Sequence, residues 1–503
     1  MSLARRSVES GFYNVFSSML QTGISFFRAV ILFRLLTPEV FGLYSYVTAI
    51  IIWTGTLPNF GMTGALVHRA PESEGEAGLR VHFTLTLIFN LIWGLVMGVL
   101  AVWIIPNLQT RLVFYVILVT QVIDNLSLTG RFKLTRAVVF RRLAVINLLI
   151  TLISSLAAVT LAYLGYGIWS LVSTDIVAAV MMFAGIYLLR PVWRMRLGWS
   201  RTGVRYFLDF GRRAFLSGPL LQALNKFDDI WTGFYLGDTA LGFYSRAYSL
   251  ASYPGTLLAS PLNPIAAAAY AELKGAAKKL SLAFMQVNLL LVRTGFYLGG
   301  WLAVIAPEFV LIVAGETWLP MVNTFRLMLA YTLLNPLKQT IAGLFGAVGK
   351  PEIGVRVQVV QLVVLIICLF LFGIPAGIEG VALAVDVMMV VGIILLLYNA
   401  RKFVQFSARK LFAVPTLALI VAAGTAWLVA EKYLQAGSVW LTACLKTGLF
   451  SIVFAGILVL FEFNDIKELV RFFRRTVLKR TDAMQADPEM PIEYESNDPD
   501  SLI

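Results

Sequence analysis

The chain has 503 residues, 59% of them hydrophobic and 14% charged, with a mean hydropathy of +0.80 and a formal charge of +13. Soluble domains run at roughly 45 to 50% apolar and about 25% charged, so this composition excludes a soluble protein and defines an integral membrane one. The two cysteines, Cys368 and Cys444, both fall inside apolar stretches, and His68 and His82 have no ligand spacing, so there is no ground for a disulfide framework or a metal site. Both histidines are expected in ordinary interfacial or loop roles.

A helix that crosses the bilayer needs about 20 apolar residues. Stretches of that kind begin at roughly 14, 41, 82, 111, 142, 167, 213, 240, 281, 319, 353, 378, 411 and 440, which predicts fourteen spans and an all-α protein. The first stretch is interrupted by Gln21, Arg28 and Arg34 and lacks a small-residue cleavage site, so it is expected to stay rather than be removed as a signal peptide. Along the chain the basic residues fall on alternate loops. One set holds Arg5 and Arg6, Arg69 and Arg80, Arg131 to Arg142, Arg190 to Arg213, Lys274 to Lys279, Lys350 and Arg356, Arg401 to Lys410, and Lys467 to Arg480. The other holds only Arg111 and Lys432. By the positive-inside rule both termini are cytoplasmic, in the plasma (inner) membrane. Topology and contact with anionic headgroups then account for the positive charge, which leaves no support for nucleic-acid binding.

The longest outer loop runs from about Ala306 to Pro320, too short for an extracytoplasmic catalytic domain, so the chain is expected not to be an enzyme. A basic amphipathic stretch, Ile466 to Arg480, is predicted on the inner surface, and the acidic tail from Asp482 to Asp500 is predicted disordered.

Leu36-Thr37-Pro38-Glu39-Val40-Phe41-Gly42-Leu43-Tyr44-Ser45 aligns without a gap on Leu236-Gly237-Asp238-Thr239-Ala240-Leu241-Gly242-Phe243-Tyr244-Ser245, with Leu, Gly, Tyr and Ser in common. Gly167-Ile168 and Gly377-Ile378 form a second echo. Pro38 and Asp238 suit the first positions of a helix, and Gly42 and Gly242 permit close helix approach. Six predicted spans separate the copies, an even number, so the repeats share one orientation about a pseudo-twofold axis along the bilayer normal. The expected domains are an N-lobe of spans one to six (1–200), a C-lobe of spans seven to twelve (201–405), two additional spans (406–465) and a cytoplasmic tail (466–503).

Leu224 to Leu250, reading LNKFDDIWTGFYLGDTALGFYSRAYSL, resembles span seven and the start of span eight of Wzx-type oligosaccharide-lipid flippases in the multidrug/oligosaccharidyl-lipid/polysaccharide exporter superfamily. Phe60-Gly61-Met62-Thr63-Gly64-Ala65-Leu66-Val67 is similar to the N-terminal signature of that group, closest to the colanic or teichuronic acid exporters. The resemblance covers about the first 400 residues and implies a MATE-like fold of two six-helix bundles plus two helices. The acidic tail has no counterpart in that pattern.

Arg28, Arg34, Lys226, Arg246, Arg293, Arg326, Lys338 and Lys446 fall within predicted spans. A cation at the bilayer centre costs roughly 2.5 to 3.5 kcal/mol on insertion scales, so such residues face a wet or paired interior. At 100° per residue, Gln222, Asn225, Lys226, Asp229 and Gly233 share one face of span seven, and Tyr13, Asn14, Ser17, Gln21, Ser25 and Arg28 share one face of span one. Two equivalent polar faces predict one aqueous cavity between the bundles, with Arg28 and Arg293 as its cations and Lys338 nearby. Lys226 is either a ligand or neutralised by Asp229 at i+3. Arg34 and Arg246 are expected to snorkel to the outer face, and Lys446 to be a surface snorkeler. Asp124, Asp175, Asp228 and Asp386 are read as structural partners of the arginines, with ion coupling as the alternative.

A basic cavity calls for an anionic substrate, and a polyprenyl-pyrophosphate-linked oligosaccharide satisfies it, its phosphates pairing with Arg or Lys and its tail remaining in the bilayer. Moving two negative charges outward through 100 mV is favoured by about 4.6 kcal/mol, at roughly 2.3 kcal/mol per charge. No GxxxxGK[ST] loop for ATP drive occurs. No cofactor is expected, and proton or sodium coupling is left open. The expected partners are the lipid-linked oligosaccharide, membrane lipids and glycan polymerase or other assembly proteins, with the chain itself monomeric. The rival readings are a MATE-type drug or cation antiporter and a membrane-embedded glycan polymerase or ligase.

Overall fold

The computed structural model describes residues 3–67, 75–136, 140–189, 191–215, 217–433 and 438–486, which are helical without a strand. From the N-terminus, α1 (Leu3–Leu35) turns sharply into α2 (Pro38–Thr54). Thr37 is extended and Pro38 opens the helix, where its missing N–H would have had no intrahelical acceptor. A short α3 (Thr63–Val67) precedes α4 (Gly75–Ile104), α5 (Leu108–Arg136), α6 (Phe140–Tyr163) and α7 (Ile168–Phe183), which continues as a π turn to Leu188. There follow α8 (Arg201–Ala214), α9 (Ser217–Leu236), α10 (Asp238–Glu272), α11 (Ala277–Val304), a short α12 (Ala306–Val313) and α13 (Val322–Ala347). The chain continues through α14 (Glu352–Cys368), α15 (Ile374–Ala400), α16 (Ala408–Tyr433) and α17 (Val439–Ala486). The last helix is bent at Glu462 and runs on through the predicted basic surface stretch. His68 and the tail beyond Ala486 lie outside the described residues.

Among the described residues, nine stretches are long and apolar enough to cross a membrane, one of them, Glu352–Ala400, holding both α14 and α15. Four long helices, α1, α9, α10 and α13, are not among them. These carry the ionisable and amide side chains Gln21, Arg28, Lys226, Asp228, Asp229, Arg246 and Lys338, which lower their hydropathy. Such helices reach stability by turning their polar faces away from lipid.

Packing explains how. The helices α1, α2, α4, α5, α6 and α7 contact one another, as do α9, α10, α11, α13, α14 and α15, while α16 and α17 lie against α11. The two groups meet where α2 packs on α10 and α9, and where α1 packs on α10. At that junction a Cβ on Gly42 would sit 1.7 Å from the Asp238 carbonyl oxygen, and one on Gly242 would sit 1.9 Å from that of Pro38. Only glycine permits this approach, and it is reciprocal between the two copies of the sequence motif. One turn further, Ser45 Oγ and Ser245 Oγ are 3.0 Å apart. The second echo is also structural: Gly167 (φ 53°, ψ −120°) and Gly377 (φ 57°, ψ −138°) share a backbone conformation that a side chain would strain.

Ser200 caps α8, its Oγ accepting a hydrogen bond from the Gly203 amide at 3.1 Å. Phe207 of α8 is buried among Met62, Ala65, Val81 and Leu85, and a Cβ on Gly211 would lie 2.4 Å from the Phe60 carbonyl oxygen. The Phe60-to-Val67 signature thus forms the turn that receives α8, with Phe60 itself at φ 43°. The connection between the repeats is therefore docked on the first of them.

Candidate functional site

An α-helix rises 1.5 Å per residue, and several polar residues lie about two turns, roughly 11 Å, from the end where α1 meets α2 and α9 meets α10. Arg28 occupies that level on α1, Asp175 on α7, Asp228 and Asp229 on α9, and Ser245 and Arg246 on α10, with Tyr44 and Ser45 on α2 beside them. Five helices from both groups thus bring one polar layer to the junction.

The pairings within the layer follow the repeat. Tyr44 donates to Asp175 Oδ2 at 2.9 Å, and its counterpart Tyr244 donates to Asp228 Oδ2 at 2.5 Å. Lys226 Nζ donates to Asp229 Oδ2 at 2.9 Å, the i+3 pairing that the sequence offered. Arg246 reaches across the junction, donating from Nη2 to Ser45 Oγ at 3.3 Å and lying over the Phe41 ring at 4.9 Å. Its Nε is buried without a partner. Arg28 Nη1 donates to Ser154 Oγ on α6 at 3.4 Å and is within electrostatic reach of Asp175, Tyr253 and Arg246. Neither Arg28 nor Arg246 forms an ion pair among the described residues. Each donates to a hydroxyl.

Towards the nearer end of the helices the layer is closed by aromatic packing. Trp318, in the turn between α12 and α13, is fully buried and donates from Nε1 to the Phe33 carbonyl at 2.9 Å. Its ring lies against Phe33, Phe41 and Phe243 at centroid distances of 5.0, 5.5 and 5.8 Å. Arg34 Nη2 donates to the Ile312 carbonyl at 2.6 Å. Phe33, Arg34 and Phe41 belong to the first repeat and Phe243, Ile312 and Trp318 follow it, so this seal also joins the two groups.

The other sequence candidates are placed apart. Arg293 does not enter the layer. Its Nε meets Glu462 Oε2 of α17 at 2.6 Å, on the face of α11 that also carries Tyr297 against Ser451 (2.9 Å) and Trp301 against Thr447 (2.9 Å). Glu308 and Lys446 add a second ion pair at 2.5 Å, so Lys446 is not a free snorkeler. The expectation of a cavity arginine at 293 gives way because its carboxylate comes from a helix outside the two repeats. Gln21 donates to Ser17 Oγ at 2.8 Å, and Ser17 donates to the Ala144 carbonyl at 3.2 Å, which turns that part of the α1 stripe towards α6. The side chains of Tyr13 and Asn14 lie outside those described. Asn225 is exposed on α9. Lys338 lies on α13 about two turns beyond Tyr331, further from the seal, with no hydrogen bond or ion pair among the described residues. His82 is buried within α4, its Nδ1 3.0 Å from Thr129 Oγ1, rather than in a loop.

Asp124 pairs with Arg131, as expected of a structural carboxylate. Asp228 and Asp386 each keep a buried oxygen without a partner. The residue the sequence reading assigned elsewhere is Arg246. It was placed near the outer end of its helix and expected to snorkel, whereas it folds back under the seal onto the other repeat. The signal was present: Arg246 directly follows Ser245 of the repeat motif, and a motif held at a twofold junction carries its neighbour there.

An all-helical bundle with paired repeat helices meeting in a polar layer is the architecture of a membrane transporter. Solved structures share it. The fold superposes on the lipid II flippase MurJ in an inward closed conformation with a TM-score of 0.72 at 13% identity, covering 90% of this chain and 99% of that one. It superposes on an inward-facing multidrug resistance MATE family transporter of the MOP superfamily with a TM-score of 0.59 at 14% identity, covering 78% and 98%. Residues 31–323 match the family described as polysaccharide biosynthesis protein, and the chain belongs to that family. It is 24% identical over 417 residues to the lipopolysaccharide biosynthesis protein WzxC of Escherichia coli, covering 78% of this chain and 81% of that protein. It is 26% identical over 321 residues to the succinoglycan biosynthesis transport protein ExoT of Rhizobium meliloti, covering 61% and 62%.

Proposed function

We propose that the protein is a flippase, not an enzyme, that moves polyprenyl-pyrophosphate-linked oligosaccharide units from the inner to the outer leaflet for cell-surface polysaccharide synthesis. The observation that carries this reading is the pair Arg28 and Arg246. They come from opposite repeats, sit at one depth, and form no ion pair among the described residues. Two such guanidinium groups match a diphosphate, whose oxygens accept charge-assisted hydrogen bonds about twice as strong as those from neutral groups. The names of the relatives support the same reading: one acts in lipopolysaccharide biosynthesis, one in transport for succinoglycan biosynthesis, and one structural neighbour flips a lipid.

In this proposal the fourteen long helices all span the inner membrane, with both termini cytoplasmic. The N-lobe (1–200) and C-lobe (201–405) are two six-helix bundles that rock about the α2–α10 junction, and spans thirteen and fourteen (406–465) ride on the C-lobe. The aromatic seal faces the extracytoplasmic side, so the structure corresponds to a state closed outwards. Sugars occupy the polar space between the lobes, Lys338 and Asn225 lie along its cytoplasmic approach, and Lys226–Asp229 shapes the polar layer without supplying net charge. The membrane potential drives the diphosphate outwards. Asp228 and Asp386, each with a buried oxygen that has no hydrogen-bond partner, are the places for proton or sodium coupling.

The test uses proteoliposomes loaded with a radiolabelled undecaprenyl-diphosphate-linked oligosaccharide. The expected result is transfer to the leaflet facing the extracytoplasmic side of the protein, with no efflux of ethidium. Ethidium efflux without lipid transfer would assign the chain to the antiporter reading that the MATE-type fold also permits.

A further inference from the structure

We infer that Arg246 is a positioning residue shared between the substrate and the extracytoplasmic seal, so that a bound diphosphate releases the seal by drawing the guanidinium away from it. The inference rests on the diphosphate reading of the site and adds how occupancy is transmitted.

Arg246 is the polar-layer residue that touches the seal directly. It donates to Ser45 Oγ, and Ser45 in turn meets Ser245 across the junction. Its guanidinium lies over Phe41, and Phe41 packs on Trp318 and Phe33. Both of these contacts, Ser45 and Phe41, therefore belong to the closed contact between the repeats. Neither of them carries a charge, and the buried Nε has no partner at all. A hydroxyl and a ring face are weak ligands for a desolvated cation compared with phosphate oxygens. When a diphosphate enters between Arg28 and Arg246, the guanidinium turns to it, Ser45 loses a donor and Phe41 loses its cation. What remains of the seal is the glycine contact, the serine pair and the Trp318 ring packing.

The consequence is ordered access. An empty transporter keeps its outer face shut because Arg246 reinforces the seal, and substrate shifts the population towards opening because it binds the released form better. Arg28 takes no part in the seal, since its hydrogen bond is to Ser154 within its own group of helices. The two arginines thus differ in role although both would touch phosphate.

The experiment reads opening with the full chain in proteoliposomes, using the thiol of A247C, buried on α10 beneath the glycine contact, in a C444S background; Cys368 is buried. A membrane-impermeant maleimide is added outside, and undecaprenyl diphosphate is the probe. In the parent, reaction is slow and accelerates by about tenfold or more with the probe, the size of a modest population shift. R246A and F41L react rapidly without the probe, and R246A gains nothing when it is added. R246K, which keeps the charge but loses the planar stack, reacts at an intermediate rate. R246A and F41L both remaining as slow as the parent would overturn the inference, as would an undiminished probe response in R246A. Binding of the probe is measured separately by thermal shift. Binding in the parent without any change in thiol reaction sinks the latch alone, whereas absence of binding sinks the diphosphate reading beneath it.

Discussion

Arg28 and Arg293 are both arginines within predicted spans, yet their surroundings differ. Arg28 donates to the Ser154 hydroxyl, whereas Arg293 is bound to Glu462 and is only 9% exposed. Removing the charge in R28A is expected to abolish lipid transfer with insertion intact, and R28K to retain part of it, because a lysine keeps the charge but not the fork. Full transfer by R28A at parental abundance would remove the phosphate role. At 293 the expected effect is on stability. Leaving one partner of a buried pair costs about 3 to 5 kcal/mol, while replacing both by apolar groups of similar size is near neutral. R293M and E462M should each lower the melting temperature in detergent, and the double variant should recover it and transport normally. A double variant that melts normally but cannot transport would return Arg293 to the substrate path.

The helices that hold the layer are joined by close backbone contact as well as by side chains. At Gly42 and Gly242 an added methyl would fall within 2 Å of a carbonyl oxygen of the other repeat, so α2 and α10 must separate to admit it. Such overpacking costs about 1 to 3 kcal/mol. G42A is accordingly expected to hold the outer ends apart, measured as fast reaction of an outer thiol without substrate, and to lose transport. Gly23 on α1 has nothing within 4 Å of its Cβ position, so G23A should fold and transport like the parent. Equal tolerance at both sites would show that the junction is looser than drawn here. The contact of α11 and α12 with α17 is of another kind, a ladder of polar pairs from Glu308–Lys446 through Trp301–Thr447 and Tyr297–Ser451 to Arg293–Glu462. With two ion pairs along it, the ladder fixes α16 and α17 to the second group of helices.

At the scale of the whole molecule, the alternating loop charges and the position of the seal make one prediction together. T37C and T239C, at the exposed starts of α2 and α10, should react with an impermeant maleimide from outside intact cells, and K274C only after the inner face is opened. Labelling of all three from one side would contradict the orientation. The two repeats share their motifs but not their accessory contacts, since α8 docks on the first and α16–α17 on the second. The rocking motion is therefore expected to be carried by the α1/α2 and α9/α10 contacts, where few side chains other than the aromatic seal hold the lobes together.

Much of this was legible in the residues because it depends on local or averaged properties. Apolar length marked most of the long helices, and the paired glycines at 42 and 242 announced a close crossing, since close approach favours a residue without a Cβ on both partners. The charged layer was only half legible. Helical periodicity put Arg28 and the Lys226–Asp229 pair on polar faces, and an i+3 pairing is visible within one helix. Which cations remain free is decided by partners distant in the chain. Arg293 finds its carboxylate 169 residues away, and Arg246 crosses 201 residues to Ser45. Sequence alone therefore determined that this chain lives in a membrane, carries two echoing motifs and holds cations within its helices. Tertiary structure decided which of those cations are neutralised, because Coulomb and hydrogen-bond partners are set by distance in space and periodicity records only which way a side chain leaves its own helix.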